Sequence, residues 1–105
     1  MRQITIDSIR AFRNKVSFKR GNTAVTIIEN PNMGTIGSKM PISQLRLHGN
    51  IIAELTPYGL FISTCGWNTV TTRERLNGLP GVHVIQRNFE LFLNGEAWDG
   101  REIKI

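Results

Sequence analysis

Apolar residues recur along this chain in two different periods, and the switches between them mark out its elements. Ile9, Phe12 and Val16 fall at i, i+3 and i+7. They predict one stripe of a helix that Asp7 or Ser8 caps and that runs to about Val16. The residues before it, MRQITI, predict a short strand or an extended arm. β-Branched patterning takes over in TAVTII, residues 23–28, and predicts a strand. Residues 29–43 contain Asn30-Pro31-Asn32, Gly34, Gly37 and Pro41 and predict a long loop. Leu45 and Leu47 then alternate with Gln44, Arg46 and His48, with Gly49-Asn50 as a tight turn, so residues 44–55 predict a hairpin.

Pro57-Tyr58-Gly59 turns the chain into FISTCGWNTVTTRERLNGLP, residues 61–80, the stretch around which the rest is arranged. Its first residues alternate as a strand over 60–64, and Gly66 breaks the alternation. Thr71-Thr72-Arg73-Glu74 fits a capping box, in which Thr71 and Glu74 satisfy each other's backbone N–H groups. The predicted helix covers residues 72–78, ends at Asn77-Gly78 and cannot resume through Pro80. It is about two turns long, so packing must hold it. Leu76, Leu79, Trp67 and Val70 are the expected contacts. Further strands are predicted at residues 82–87 and 89–93, a hairpin at Asn94-Gly95, a turn at Asp99-Gly100 and an edge strand at 101–105.

These elements predict a single α+β domain over residues 1–105. Its centre is a mainly antiparallel, twisted sheet of about five to seven strands, with an N-terminal helix and a short central helix packed against it. The 40% hydrophobic content supports a modest core. One cysteine, Cys65, excludes an internal disulfide and suits a reducing compartment. No apolar run approaches the roughly 20 residues of a membrane span, and Met1-Arg2-Gln3-Ile4 lacks a signal-peptide core.

Charge changes the picture most. Residues 1–20 carry Arg2, Arg10, Arg13, Lys15, Lys19 and Arg20 against Asp7, six minus one. The remaining seven basic and seven acidic residues cancel, so the whole net charge of +5 lies in the first fifth of the chain. Such a segment is an electrostatic footprint for polyanions, nucleic acid first; a solvated helix face that aids solubility has the same composition. The start of the central helix adds Thr71, Thr72, Arg73 and Arg75 beside free N–H donors, an arrangement suited to a phosphate. A capped helix with a basic outer face needs no ligand and is the simpler account. Trp67, Tyr58, Phe61 and Phe18 are aromatic residues available for base stacking, Trp67 foremost; Phe61 and Trp98 also suit a core.

Several runs resemble a family of small tailed-bacteriophage proteins of unknown function. They are Leu47-His48-Gly49-Asn50-Ile51-Ile52-Ala53, then Gly66-Trp67-Asn68-Thr69-Val70-Thr71-Thr72-Arg73-Glu74-Arg75-Leu76-Asn77, Gln86, and Leu93-Asn94-Gly95-Glu96-Ala97-Trp98-Asp99-Gly100. Gly21-Asn22-Thr23 is similar too. The resemblance covers most of the chain, implies expression in the cytoplasm of an infected bacterial host, and carries over no catalytic residue.

Enzyme chemistry finds little support. His48 and His83 are the only histidines, and no short metal-ligand spacing exists. Cys65 with His48 or His83 makes a nucleophile and base only on paper; a small buried apolar Cys65 is the simpler expectation. No cofactor, metal site or membrane contact is expected. The expected role is non-enzymatic binding of nucleic acid through Arg10, Arg13, Lys15, Lys19, Arg20, Thr71, Thr72, Arg73 and Arg75, with Trp67 stacking, by a monomer or small homo-oligomer. The competing role is an interaction module that binds and modulates a host bacterial protein, with the strand at 101–105 as one possible edge for strand addition.

Overall fold

A computed structural model describes residues 1–30 and 40–105. The first buried stripe begins earlier than the apolar spacing indicates. Thr5, Ser8, Ile9 and Phe12 are buried at i, i+3, i+4 and i+7, and helix α1 spans Gln3–Asn14. The expected arm at residues 1–6 is therefore mostly helix, with small Thr5 facing inward. Asp7 does not cap it; its carboxylate accepts from Gln3 at 2.8 Å and from Arg20 at 2.9 Å. Lys15 closes α1 in the left-handed conformation at φ 56°. The Val16 N–H then reaches back to the Ala11 carbonyl at 2.9 Å, a Schellman-type stop. Val16 consequently lies past the helix and is exposed, off the stripe expected for it.

Strands β1 (Phe18–Arg20), β2 (Thr23–Asn30), β3 (Met40–Leu47), β4 (Asn50–Thr56) and β5 (Gly59–Ile62) follow as an antiparallel meander. The expected loop at 29–43 is shorter than its composition suggests: Glu29 and Asn30 extend β2, and Met40 to Ser43 begin β3. Residues 31–39 of that loop lie outside the described residues. β9 (Ile103–Lys104) pairs with β5, so the sheet order is β1-β2-β3-β4-β5-β9.

Register puts Val25, Leu45, Ala53 and Ile62 in one row across the sheet, and all four are buried. α1 packs on that face. Between Leu45 and Arg46 the pairing with β4 slips by one residue, so Ile52 as well as Ala53 is buried.

Helix α2 spans Val70–Asn77, and Thr69 is its N-cap. Thr69 Oγ1 accepts from the Thr72 N–H at 3.1 Å. The capping box expected at Thr71 and Glu74 is not formed, because Glu74 is drawn instead to Thr5, Arg2 and Arg75. Leu76 and Leu79 are buried as expected, whereas Trp67 and Val70 face solvent. Asn77 then bridges both backbone groups of Val84, at 2.9 and 2.6 Å. This starts β6 (Val84–Arg87), which continues through β7 (Glu90–Leu93) and β8 (Glu96–Ala97) as a separate three-stranded sheet. These later strands do not extend the first sheet, since α2 carries the chain away from β5 and β9 takes that edge. Val84, Leu91 and Leu93 join Phe12, Leu45 and Leu76 in one core.

The β6–β7 turn is Asn88-Phe89, with both residues at positive φ, 51° and 68°. Phe89 is 96% exposed there. A bulky side chain in the left-handed region is strained, and it gains no burial in return. Phe89→Gly creates the Asn-Gly pair preferred in such turns. The relief of strain exceeds the added chain entropy of glycine, so urea unfolding is expected to show a gain of about 0.5–1 kcal/mol. A loss would mean that Phe89 makes a stabilising contact.

Candidate nucleic-acid interface

A groove of about 520 Å³ opens between the β3–β4 tip and the start of α2. Its position follows from two turns. His48-Gly49 takes positive φ at both residues, 52° and 81°, the geometry of a tight hairpin turn. The turn therefore sits one residue before the expected Gly49-Asn50, and Asn50 becomes the first residue of β4. The second turn, Cys65-Gly66, also has positive φ at both residues, 53° and 79°. It is closed by Trp67 N–H on the Thr64 carbonyl at 2.9 Å. This stations Trp67 on the rim, 63% exposed.

The floor of the groove is apolar, with Leu47 and the bulge residue Ile52. Its walls are hydrogen-bonding groups: Thr64, Thr69, Thr71, Thr72, Asn50 and the His48 imidazole. Thr69 and Thr72 spend their hydroxyls on each other at 2.9 Å. Among the described residues, the Asn50 amide and the Thr71 hydroxyl have no protein partner. Cys65 is exposed and not the buried apolar residue expected; its thiol donates to the Ile51 carbonyl at 2.7 Å.

The predicted phosphate contacts divide into three groups. Arg10 and Arg13 project from α1 beside a second groove of about 500 Å³. With Lys15 at the end of α1 and Lys19 on β1, they are exposed, and these four side chains have no hydrogen-bond or ion-pair partner among the described residues. Arg20 is partly engaged, bonded to Asp7 and lying 5.2 Å over the Phe18 ring. Arg73, at the first turn of α2, donates to the Asn68 side chain at 2.7 Å and borders another groove beside Met1 and Val70.

Arg75 is a structural residue. It is 1% exposed, and its guanidinium donates to Thr23 at 3.1 Å, Thr5 at 2.6 Å and Glu74 at 2.6 Å. Burial holds it below the ordinary guanidinium value. Glu74 is held below the ordinary carboxylate value by the Thr5 hydroxyl first, then by Arg2 and Arg75, against the opposing effect of burial. This network ties α1, β2 and α2 together and keeps the Arg75 guanidinium inside the protein. Thr72 is also buried, and it lines the groove.

One contact joins the basic segment to the groove. Asn22, two residues after Arg20, meets His48 twice: its carbonyl accepts from the His48 N–H at 2.8 Å, and its side chain lies 3.3 Å from Nε2. Sequence reasoning found Trp67, Thr71 and Thr72 of the groove but missed His48, Asn50, Leu47 and Ile52 as its other wall. The available signal was a histidine before Gly49, a residue type that tolerates the left-handed turn conformation.

Among the described residues, no group of three or more His, Cys, Asp or Glu side chains is placed to hold a metal ion. No helix there is long and apolar enough to cross a membrane. No curated protein and no solved structure matches the chain. A family profile matches residues 1–104, under the description Kyanoviridae Gp96 protein. Two of the stretches that carry the phage resemblance, LHGNIIA and GWNTVTTRERLN, face each other across the groove. The chain thus belongs to the Kyanoviridae Gp96 family of tailed-phage proteins.

Proposed function

We propose that this phage protein binds nucleic acid without catalysis, in the cytoplasm of the infected cell. The observation that carries the reading is the set of four exposed cations on α1 and β1, Arg10, Arg13, Lys15 and Lys19, whose side chains have no hydrogen-bond or salt-bridge partner among the described residues. The groove with Trp67 at its rim meets this basic segment only at its end, where Asn22, two residues after Arg20, touches His48. The cations supply phosphate contacts, whose release of counterions makes affinity salt-dependent. Arg20 contributes less, because Asp7 already neutralises it. Arg73 is a peripheral contact, and Arg75 is excluded by burial.

The test is binding of labelled oligonucleotides across a salt series, with wild type and an Arg10→Gln, Arg13→Gln, Lys15→Gln, Lys19→Gln variant. Each phosphate contact contributes roughly 0.7–0.9 to the log–log slope. The variant is therefore expected to lose about 3 units of slope along with most of its low-salt affinity. Unchanged binding would make the segment a solubilising surface only.

A second reading, binding to a host protein, is favoured by one feature. Phe89 is held almost fully exposed at a strained turn, flanked by the cross-strand pair Arg87 and Glu90. The pair cancels in charge, so this tip suits an apolar recess on a protein better than a phosphate backbone.

A further inference from the structure

We propose that the groove between the β3–β4 tip and α2 holds one unpaired nucleobase, so that the protein selects single-stranded nucleic acid or strand ends over intact duplex. The proposal rests on the nucleic-acid reading above and adds the form of the ligand. Three properties of the groove lead to it. Its volume, about 520 Å³, lies within the size of small-molecule sites and admits a nucleoside. Its lining carries no Lys, Arg, Asp or Glu, so it suits a neutral ring and not the phosphate itself. Trp67 stands at its rim as a stacking platform, while the free Asn50 amide and Thr71 hydroxyl offer both donors and acceptors to a base edge.

The charges lie where the rest of the strand would need them. A base seated between Trp67 and His48 leaves its neighbouring phosphates to run past Asn22 toward Arg20 and Lys19. A base paired within a duplex cannot enter, because both of its faces are stacked and its pairing edge is occupied. It reaches the groove only when unpaired or extruded.

The experiment compares anisotropy titrations of fluorescein-labelled oligothymidine with a blunt hairpin duplex of equal charge. It uses wild type, Trp67→Ala, Trp67→Phe, Asn50→Ala and the fourfold basic-segment variant, each checked for a wild-type melting curve. Wild type is expected to prefer the single strand at least tenfold. Trp67→Ala should lose roughly 10- to 100-fold in single-strand affinity, the scale of one stacked base. Trp67→Phe should keep most of the affinity, Asn50→Ala should lose part of it, and neither Trp67 variant should change duplex binding. In a Trp98→Phe background, which leaves Trp67 as the one indole, oligothymidine should quench the tryptophan emission.

Single-strand affinity within twofold of wild type in Trp67→Ala, or equal binding of single strand and duplex by wild type, overturns the base site. If the basic-segment variant still loses binding, the nucleic-acid reading then stands alone. Absence of binding to either probe at low salt removes both. Should Trp67→Ala fail to fold, Trp67→Phe, Asn50→Ala and the quenching measurement decide the question.

Discussion

Replacing Glu74 with Ala is expected to destabilise the fold by about 3 kcal/mol, the lower end of the cost of stranding one member of a buried ion pair. For a domain of this size that is roughly a 12–24 °C fall in melting temperature. The damage comes from what is left behind. Arg75 stays fully enclosed with only the hydroxyls of Thr5 and Thr23, and Thr5 loses the acceptor for its own proton. The lower end applies because the Glu74 side chain is 25% exposed, so water can partly replace it. A double variant, Glu74→Gln with Arg75→Met, removes both charges and keeps the volume; it is expected to cost less than Glu74→Ala alone.

The same pair sets an acid limb. The folded carboxyl of Glu74 lies below its ordinary value of 4.5, so the unfolded chain takes up protons first as pH falls. Its contribution to stability is complete above that ordinary value and is lost as pH drops through the folded one. Asp7, also lowered by Gln3 and Arg20, adds a second such group at the surface. Glu74→Gln is therefore expected to flatten the decline of urea midpoints below pH 4.5 without abolishing it. An unchanged decline would show that the network does not hold Glu74 ionised.

Gly100→Ala is expected to cost about 2–5 kcal/mol, from about 1–2 for a left-handed alanine and about 1–3 for overpacking. Gly100 has φ 87°, and an added Cβ would overlap Thr64 Oγ1. The Gly100 carbonyl also accepts from the Thr64 N–H at 3.0 Å and from Ser63 Oγ at 3.2 Å, fixing the end of β5. Thr64 is thus held on one side by Gly100 and forms part of the groove wall on the other. Adding Thr64→Ala removes the overlapping hydroxyl and should recover the packing part of the loss, leaving the backbone part. Strict additivity of the two substitutions in a thermal melt would contradict this contact.

The sheet was legible because hairpin chemistry is local. Asn94-Gly95, Pro57-Tyr58-Gly59 and the alternation around Leu45 and Leu47 need only near neighbours to be read. α1 was misjudged at its start because its inward residues there are Thr5 and Ser8, which an apolar stripe does not count. The groove was half legible: Trp67 and the α2 threonines lie in one run, but their opposite wall comes from a hairpin some twenty residues earlier. Arg75 was read as a surface cation because its neighbours in sequence are polar. Its enclosure by Thr5 and Thr23 exists only after α1 and β2 have docked.

That enclosure also orders events in time. Each of β2 to β5 pairs with the strand before it, so the meander forms by short loop closures. The contact of Thr5 with Glu74 and Arg75 spans about seventy residues and is of no benefit until both helices and β2 are in place. It belongs to the late side of the folding barrier. In a chevron plot, Glu74→Ala should then raise the unfolding arm and leave the refolding arm nearly untouched, making this one buried arginine a latch on the folded state's lifetime.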